Sequence, residues 1–255
     1  MRSATLSALV SLLVACSGPE PRPDVVGPRS AIDVRPHVLV EDEHLLLQHW
    51  ELKASRDLFA PATELSPALE AYRREIRQRV GVTGPADLLR VQLDEDWLPE
   101  GDLKNVELAL EGEAGRIRPI DRLEAFLLDI QLRRGNMIAD PTEFFSLVLQ
   151  RAEWLKIYFY TLDQGGIGGV GRIHSLVEAD MAAGFALERS IHNHNFFFGS
   201  EHGVLGGTVP STADVWISRA QRDAFGLRTA TITNGFDTIE LDQADFDVFQ
   251  AVGPR

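Results

Sequence analysis

Helix-start signals alternate with strand-like segments between residues 118 and 250, and this alternation limits the possible folds more than any other feature. The pattern Asp121-Arg122-Leu123-Glu124 is a capping box that predicts a helix to about residue 134. Residues 154–162 are rich in aromatic and branched side chains and predict a strand. Residues 211–225 predict a further helix. We therefore expect an α+β fold whose helices and strands are interleaved.

Other segments carry weaker signals for further elements. The remaining predicted helices cover residues 67–80, 140–151 and 179–187. The remaining predicted strands cover residues 106–110, 172–177, 189–197, 228–233 and 238–241, and residues 38–52 are expected to pass from strand into helix. The glycine-rich segment 163–171 lacks the Gly-Lys-Ser/Thr of a phosphate loop, so it is expected to be a flexible turn.

The only cysteine, Cys16, follows an apolar run that begins after Arg2 and ends at Ala15. This run has the proportions of a signal peptide rather than of a membrane-spanning helix. Leu13-Val14-Ala15-Cys16 resembles the bacterial lipobox, which implies cleavage before Cys16 and lipidation of that residue. The protein would then be held to the membrane by its lipid anchor only, in the periplasm or at the cell surface, and Ser17 favours the outer membrane. An ordinary secretory signal with a chance cysteine is the alternative.

The composition of the following segment suggests the domain organisation. Residues 1–15 are the expected signal peptide, and residues 16–35 are a proline-rich tether. The rest is expected to divide into an α+β region, residues 36–117, and a second domain, residues 118–255. The formal net charge of −13 argues against a nucleic-acid partner, because phosphate binding requires a basic face.

Metal-ligating side chains are concentrated near the end of the chain. His192 and His194 lie two residues apart on a predicted strand, so both point to the same face. Asp214 falls on the first turn of the next predicted helix, and Ser211 lies near the same point. Two imidazoles and one carboxylate can bind a metal such as Zn²⁺ and leave the fourth position to water. Ser211 and Asp214 also match a capping box, so a structural role is the alternative.

The order of these residues resembles the JAMM (MPN-type) metalloprotease family. The matching segments are His192-Asn193-His194 and Pro210-Ser211-Thr212-Ala213-Asp214. The resemblance covers roughly residues 118–250 and implies a mixed sheet with flanking helices in a three-layer α/β/α arrangement. It implies that both histidines and Asp214 hold Zn²⁺, and that Ser211 stabilises the developing oxyanion. The implied reaction is hydrolysis of a peptide or isopeptide bond in a peptide or protein substrate.

The resemblance also implies an upstream glutamate that accepts a proton from the attacking water. We expect this base to be Glu153, because it immediately precedes the predicted strand 154–162. Glu143 is the rival, although its position after Asp140 would give it a capping role. Glu178 and Glu188 are further candidates, made weaker by their places beside the short helix predicted before the histidines.

Three features depart from the family pattern. Asn195 stands where the family has proline, the loop 195–210 is longer than usual, and the glycine signature that often follows the glutamate is absent. The loop contains Glu201 and His202, which could cover the site, add a ligand or have no role there. The missing proline and the unassigned glutamate favour the alternative of a catalytically inactive JAMM-like surface lipoprotein that acts as an interaction module.

A cupin-type metal site is the remaining alternative. His192, His194 and Glu201 fit its motif loosely. Cupins require a run of strands and a later histidine, whereas a helix is predicted from residue 211 and no histidine follows His202. The JAMM-like interpretation of the histidine motif is therefore preferred.

Overall fold

Eight strands form one mixed sheet in the computed structural model, which describes residues 32–42, 44–81, 83–95, 97–162, 171–198 and 206–253. The strands are β1 (His37–Glu41), β2 (Leu45–Lys53), β3 (Arg116–Pro119), β4 (Phe144–Arg151), β5 (Trp154–Leu162), β6 (Ala186–Asn193), β7 (Thr229–Thr233) and β8 (Asp237–Asp242). Their order across the sheet is β1-β2-β5-β4-β6-β7-β8-β3. Neighbouring strands are antiparallel except for β6 and β7, which are parallel.

Seven α-helices connect and cover these strands in the described part of the chain. They are α1 (Pro67–Val80), α2 (Pro85–Leu93), α3 (Glu100–Glu111), α4 (Arg122–Arg134), α5 (Gly171–Ala182), α6 (Thr212–Phe225) and α7 (Asp245–Val248). None of the described helices is long and apolar enough to cross a membrane.

Helices pack against both faces of the sheet because its central strands carry apolar side chains on both sides. On β5, Tyr158 and Tyr160 belong to one core, whereas Ile157 and Phe159 belong to the other. The first core packs α3, α5 and α6 against the sheet, and the second packs α1 and α4. The sequence of a strand that is buried on both faces is a nearly continuous run of apolar residues, and β4 and β5 have such sequences.

A buried ion-pair network links the second helical layer to the sheet. Arg118 of β3 donates to both carboxylate oxygens of Glu124, at 3.0 and 2.8 Å. Arg189 of β6 contacts Asp121, the N-cap of α4, at 3.1 Å, and both arginines also approach Glu240 of β8. Glu124 is fully buried, so this network holds α4 on the sheet through charge-assisted hydrogen bonds.

The chain combines helices with a mixed sheet, which is compatible with the expected α+β class, and several predicted elements are confirmed. Asp121 and Ser211 each cap a helix through a complete capping box, at the starts of α4 and α6. Helix 67–80, strand 154–162 and the final hairpin around Asn234-Gly235 also form as predicted.

Other predicted elements are wrong. Residues 144–151, predicted as part of a helix, form β4, and the helix predicted within residues 38–52 is replaced by the β1–β2 hairpin. Residues 106–110 are helical, within α3, and the return strand predicted at 172–177 is part of α5. For β4, burial between the neighbouring strands β5 and β6 decided the structure, and a short-range pattern does not report such burial.

The predicted domain boundary at residues 117–118 falls inside β3, and strands from both sides of it share the sheet. Ile32, near the end of the predicted tether, is buried in the second core, so ordered packing begins before residue 36. Cys16 and the expected signal peptide lie outside the described residues. The same is true of Glu201, His202 and most of the glycine-rich turn.

Candidate metal centre

The carboxyl end of β6 and the first turn of α6 bring His192, His194 and Asp214 together. Nε2 of His192 lies 3.3 Å from Nε2 of His194. The same two atoms lie 3.4 and 3.2 Å from the two carboxylate oxygens of Asp214. His192 is buried and the other two are partly buried, so the three groups can hold a metal ion away from bulk solvent.

The contacts are compatible with a metal site, although they do not form one triangle of three ligand atoms. With metal–ligand bonds of about 2.0–2.1 Å, the ligand atoms of a tetrahedron lie roughly 3.3–3.4 Å apart. The two Nε2 atoms are separated by such a distance, 3.3 Å. Each nitrogen lies near a different oxygen of Asp214, His192 at 3.4 Å from Oδ1 and His194 at 3.2 Å from Oδ2. One ligand atom from each of the three residues can therefore be chosen so that all lie within 4.8 Å of one another.

Hydrogen bonds behind the ligands orient them toward one point. Nδ1 of His194 lies 3.1 Å from the carbonyl oxygen of Gly207. A carbonyl only accepts, so this contact places a proton on Nδ1, and Nε2 is the ring atom that faces Asp214. The backbone N–H of Ser211 donates to Oδ2 of Asp214 at 2.9 Å, and the Ser211 hydroxyl donates to the same oxygen at 2.7 Å.

His194 and Asp214 each stabilise the charged form of the other. Burial lowers the pKa of His194, but the hydrogen bond and charge of Asp214, with the charge of Glu143, outweigh burial and raise that pKa to about 9. Burial favours the neutral form of Asp214, yet His192 and His194 hold its pKa well below the usual range. The cluster therefore favours a positive charge between its acceptors, which a proton or a metal ion can supply.

Glu143 lines the cleft that contains His194, Ser211 and Asp214. Two asparagines hold the backbone around it: Asn193 accepts from the N–H of Phe144 at 2.7 Å, and Asn195 donates to the carbonyl of Thr142 at 2.9 Å. The two asparagines alternate with the two histidines along the chain. Alternation on an extended chain sends the histidines to the metal face and the asparagines to the segment that carries Glu143.

The structure does not bring Glu153 to this cluster. Glu153 lies in the turn between β4 and β5, where Arg151 pairs with Trp154, whereas His192 pairs with Phe145 at the opposite end of β4. Six residues of strand separate the two ends, which is roughly 20 Å. A carboxylate cannot reach across that distance, so the expected base moves from Glu153 to Glu143.

Neither of the two weaker candidates is among the residues that line the cleft. Glu178 is exposed on α5, and Glu188 lies four residues before His192 on β6, where it pairs with Arg228 at 3.0 Å. Glu143, like Glu153, immediately precedes a strand, but only its strand, β4, begins beside His192. The capping role predicted for it is absent, since no helix forms at residues 140–151.

The cleft beside the cluster has a volume of about 330 Å³, which is in the range of small-ligand pockets. Part of its lining is formed by Glu143, His194, Ser211 and Asp214. A further part comes from α2, α3 and the segment between them, and consists of Gln92, Trp97, Leu98, Asp102 and Val106. No short-range pattern marks these five residues, because they reach the site only through contacts between distant parts of the chain.

No family model matches the chain, and no curated protein or solved structure matches it either. Its function is therefore inferred from the chemistry and geometry of the cluster and cleft.

Proposed function

We propose that this protein is a zinc-dependent hydrolase with a JAMM-like site that cleaves a peptide or isopeptide bond at the bacterial cell envelope. One observation carries the proposal: ligand atoms of His192, His194 and Asp214 lie within 4.8 Å of one another, beside a cleft that is also lined by Glu143. Nitrogen ligands from two histidines with one carboxylate favour Zn²⁺ over Mg²⁺ or Ca²⁺, which prefer oxygen ligands.

A bound Zn²⁺ would lower the pKa of a water ligand and polarise the carbonyl of the scissile bond. Glu143 accepts a proton from the water while the water oxygen attacks the carbonyl carbon. When the carbon–nitrogen bond breaks, Glu143 returns that proton to the leaving amine. The immediate products are a carboxylic acid and an amine, and the acid then gives its proton to the amine, so that a carboxylate and an ammonium group result and Glu143 ends in its starting state.

The Ser211 hydroxyl can have two roles in this scheme. Its hydroxyl has one proton, and that proton is directed at Asp214 in the structure. In this orientation Ser211 holds the carboxylate toward the histidines. Donation to an oxyanion requires the hydroxyl to turn from Asp214 to the substrate, while the backbone N–H of Ser211 keeps Asp214 in place.

Metal content tests the cluster directly. We expect the protein from residue 17 onward, purified without chelator, to contain about one equivalent of zinc, and His192→Ala to contain much less. Less than a tenth of an equivalent in the parent protein, with no uptake on titration with ZnCl₂, would reject the zinc site. Glu178→Ala is the matched control, because it removes an exposed charge away from the cluster.

Two isosteric variants test the base. Glu143→Gln should retain zinc and lose at least a hundredfold in kcat, whereas Glu153→Gln should retain both zinc and activity. Full activity in Glu143→Gln would show that Glu143 is not the base.

The predicted lipid anchor is tested separately, by comparing membrane association of the full chain with that of Cys16→Ser.

A non-catalytic interaction module remains the second candidate, and one observation favours it. The contact between His194 and Asp214 is complete without a cation, because a proton on His194 satisfies the pair. A protein that binds no zinc and hydrolyses no peptide, yet keeps its fold, would support this role over the enzymatic one.

A further inference from the structure

Asp102, on the first turn of α3, brings to the cleft a carboxylate whose charge no described residue neutralises. Its Oδ1 atom accepts from the backbone N–H of Thr212 at 2.7 Å. This is the one polar contact of the Asp102 side chain within the described part of the chain, so Oδ2 has no partner there. Asp102 is partly exposed and lines the cleft, and its Oδ2 is not closed off from solvent. A ligand in the cleft can therefore reach this oxygen.

Two contacts hold α3 beside the start of α6 and fix the distance from Asp102 to the metal-binding cluster. One is the bond from Thr212 to Asp102. The other comes from the fully buried Asn105, which donates to the carbonyl of Pro210 at 3.1 Å. The backbone N–H that precedes that of Thr212 donates to Oδ2 of Asp214 at 2.9 Å. Adjacent backbone nitrogens are less than about 4 Å apart, so Oδ1 of Asp102 lies within about 10 Å of Oδ2 of Asp214.

The other groups of the lining favour a cation that has an apolar stem. The described lining contains no lysine or arginine, whereas Asp102, Glu143 and Asp214 contribute carboxylates. Trp97 and Phe197 add aromatic surface, which attracts cations. Further apolar surface comes from Leu98, Val106 and Val209. Long basic side chains bury their methylene stems on such surface and keep their charge at a polar group.

A second metal ion fits Asp102 less well than an organic cation does. A metal ion needs several ligands that converge on it. Within the described ranges the one group of three that could share an ion is His192, His194 and Asp214, and Asp102 is not part of it. An extended lysine side chain, in contrast, carries its charge about 6 Å from its Cα. A substrate residue beside the scissile bond can thus reach Asp102 while the bond lies at the metal-binding cluster.

We propose that Asp102 is a specificity-determining residue, which selects a lysine or arginine side chain next to the scissile bond of a peptide substrate. The positive charge pairs with Oδ2 of Asp102, and the methylene stem packs against Trp97 and Phe197. This inference rests on the proposed function, and it gives α3 the role of choosing the substrate.

The test compares Asp102→Asn with Glu100→Gln in the zinc-loaded full chain. Asparagine keeps an oxygen that can accept from Thr212, so the variant removes the charge and preserves the contact with α6. Glu100 is an exposed acid on the same turn of α3 and does not line the cleft, so its variant is the matched control for charge.

The probes are fluorogenic peptides that differ in one residue beside each candidate scissile bond: lysine, norleucine or glutamate. Norleucine has an apolar stem like that of lysine but no charge. Zinc content and kcat/KM are measured for each protein with each peptide.

We expect the parent protein to cleave the lysine peptide about tenfold faster than the norleucine peptide, and the glutamate peptide more slowly still. Asp102→Asn should lower kcat/KM for the lysine peptide about fivefold to tenfold, because one ion pair with the substrate is lost. The same variant should leave the norleucine peptide and the zinc content unchanged. Glu100→Gln should keep the preference for lysine.

Four results would overturn the inference: equal cleavage of the lysine and norleucine peptides by the parent, an equal loss toward all peptides in Asp102→Asn, loss of zinc in that variant, or loss of the preference in Glu100→Gln. If the parent cleaves none of the peptides, the proposed function fails by itself. Binding of the same peptides, measured by fluorescence polarisation, then decides the inference. Tighter binding of the lysine peptide that Asp102→Asn abolishes supports it, and equal or absent binding overturns it.

Discussion

Asn195 offers the sharpest test of how the site is held together. It is 2% exposed, donates to the carbonyl of Thr142 at 2.9 Å and accepts from the side chain of Asn193 at 2.9 Å. Asn195→Ala removes both bonds at once. Thr142 directly precedes Glu143, so the variant loosens the backbone that carries the proposed base without changing a metal ligand.

The size of the effect follows from these two hydrogen bonds. Losing a buried amide that makes two bonds costs about 2 kcal/mol, of which part is the loss of one of the two donors to the carbonyl of Thr142. Asn193 still reaches that carbonyl at 3.2 Å, which limits the loss. For a chain of this size, 2 kcal/mol lowers Tm by about 4–8 °C. A displacement of Glu143 by about 1 Å should lower kcat by about tenfold to a hundredfold.

Three measurements on one preparation separate the possible outcomes: zinc content, Tm and kcat. Zinc should stay near one equivalent while Tm and kcat both fall. Glu124→Gln is a suitable control. It lowers the stability of the protein by weakening the ion-pair network around Arg118, and it changes no residue that lines the cleft. If Asn195→Ala lowers Tm but leaves kcat unchanged, the claim that Asn195 positions Glu143 is refuted.

Further predictions concern stability outside the cluster. Gly206→Ala should destabilise the protein by roughly 3 kcal/mol in chemical denaturation, since Gly206 has a φ of 139° and a Cβ there would overlap the buried ring of Phe196. Glu124→Gln should cost about 3 kcal/mol, because it leaves Arg118 without a full partner in a buried pair. Burial and the charge of Glu124 raise the pKa of Asp121 to about 7. The stability that the protonated Asp121 contributes is therefore present below about pH 4 and lost as pH rises through about 7, and Glu124→Gln should flatten this dependence in denaturation curves.

Local signals predicted the parts of the fold that local interactions decide. Asp121 and Ser211 both start helices through capping boxes, since the bonds involved lie within four residues. The pattern at residues 140–143 looks similar but precedes β4, where six consecutive residues are buried between neighbouring strands. That burial comes from β5 and β6, so no helix signal at the start of the segment could report it. For α5, the spacing of Ile173 and Val177, both buried, was an available helical signal.

The candidate site divides in the same way. His192, His194 and Asp214 could be predicted because a strand and the next helix bring them together with one loop between them. The position of Glu143 could not, because it depends on β4 lying beside β6, which only the sheet order shows. The presence of Gln92 and Asp102 at the site could not be predicted either, since they come from helices about a hundred residues earlier in the chain.

The placement of β2 and β3 also bears on aggregation. Both flank the strands of residues 118–255, and β2 covers the whole length of β5. A fragment beginning at residue 118 would expose the backbone of β5, whose residues 157–161 are all buried in the full chain. A long apolar edge of that kind is a template for pairing with other chains. In the full chain the outermost strands are the five-residue β1 and the four-residue β3, and the latter has Arg116, Arg118 and Pro119 among its residues. The amino-terminal half thus protects the sheet from self-association as well as forming one wall of the cleft.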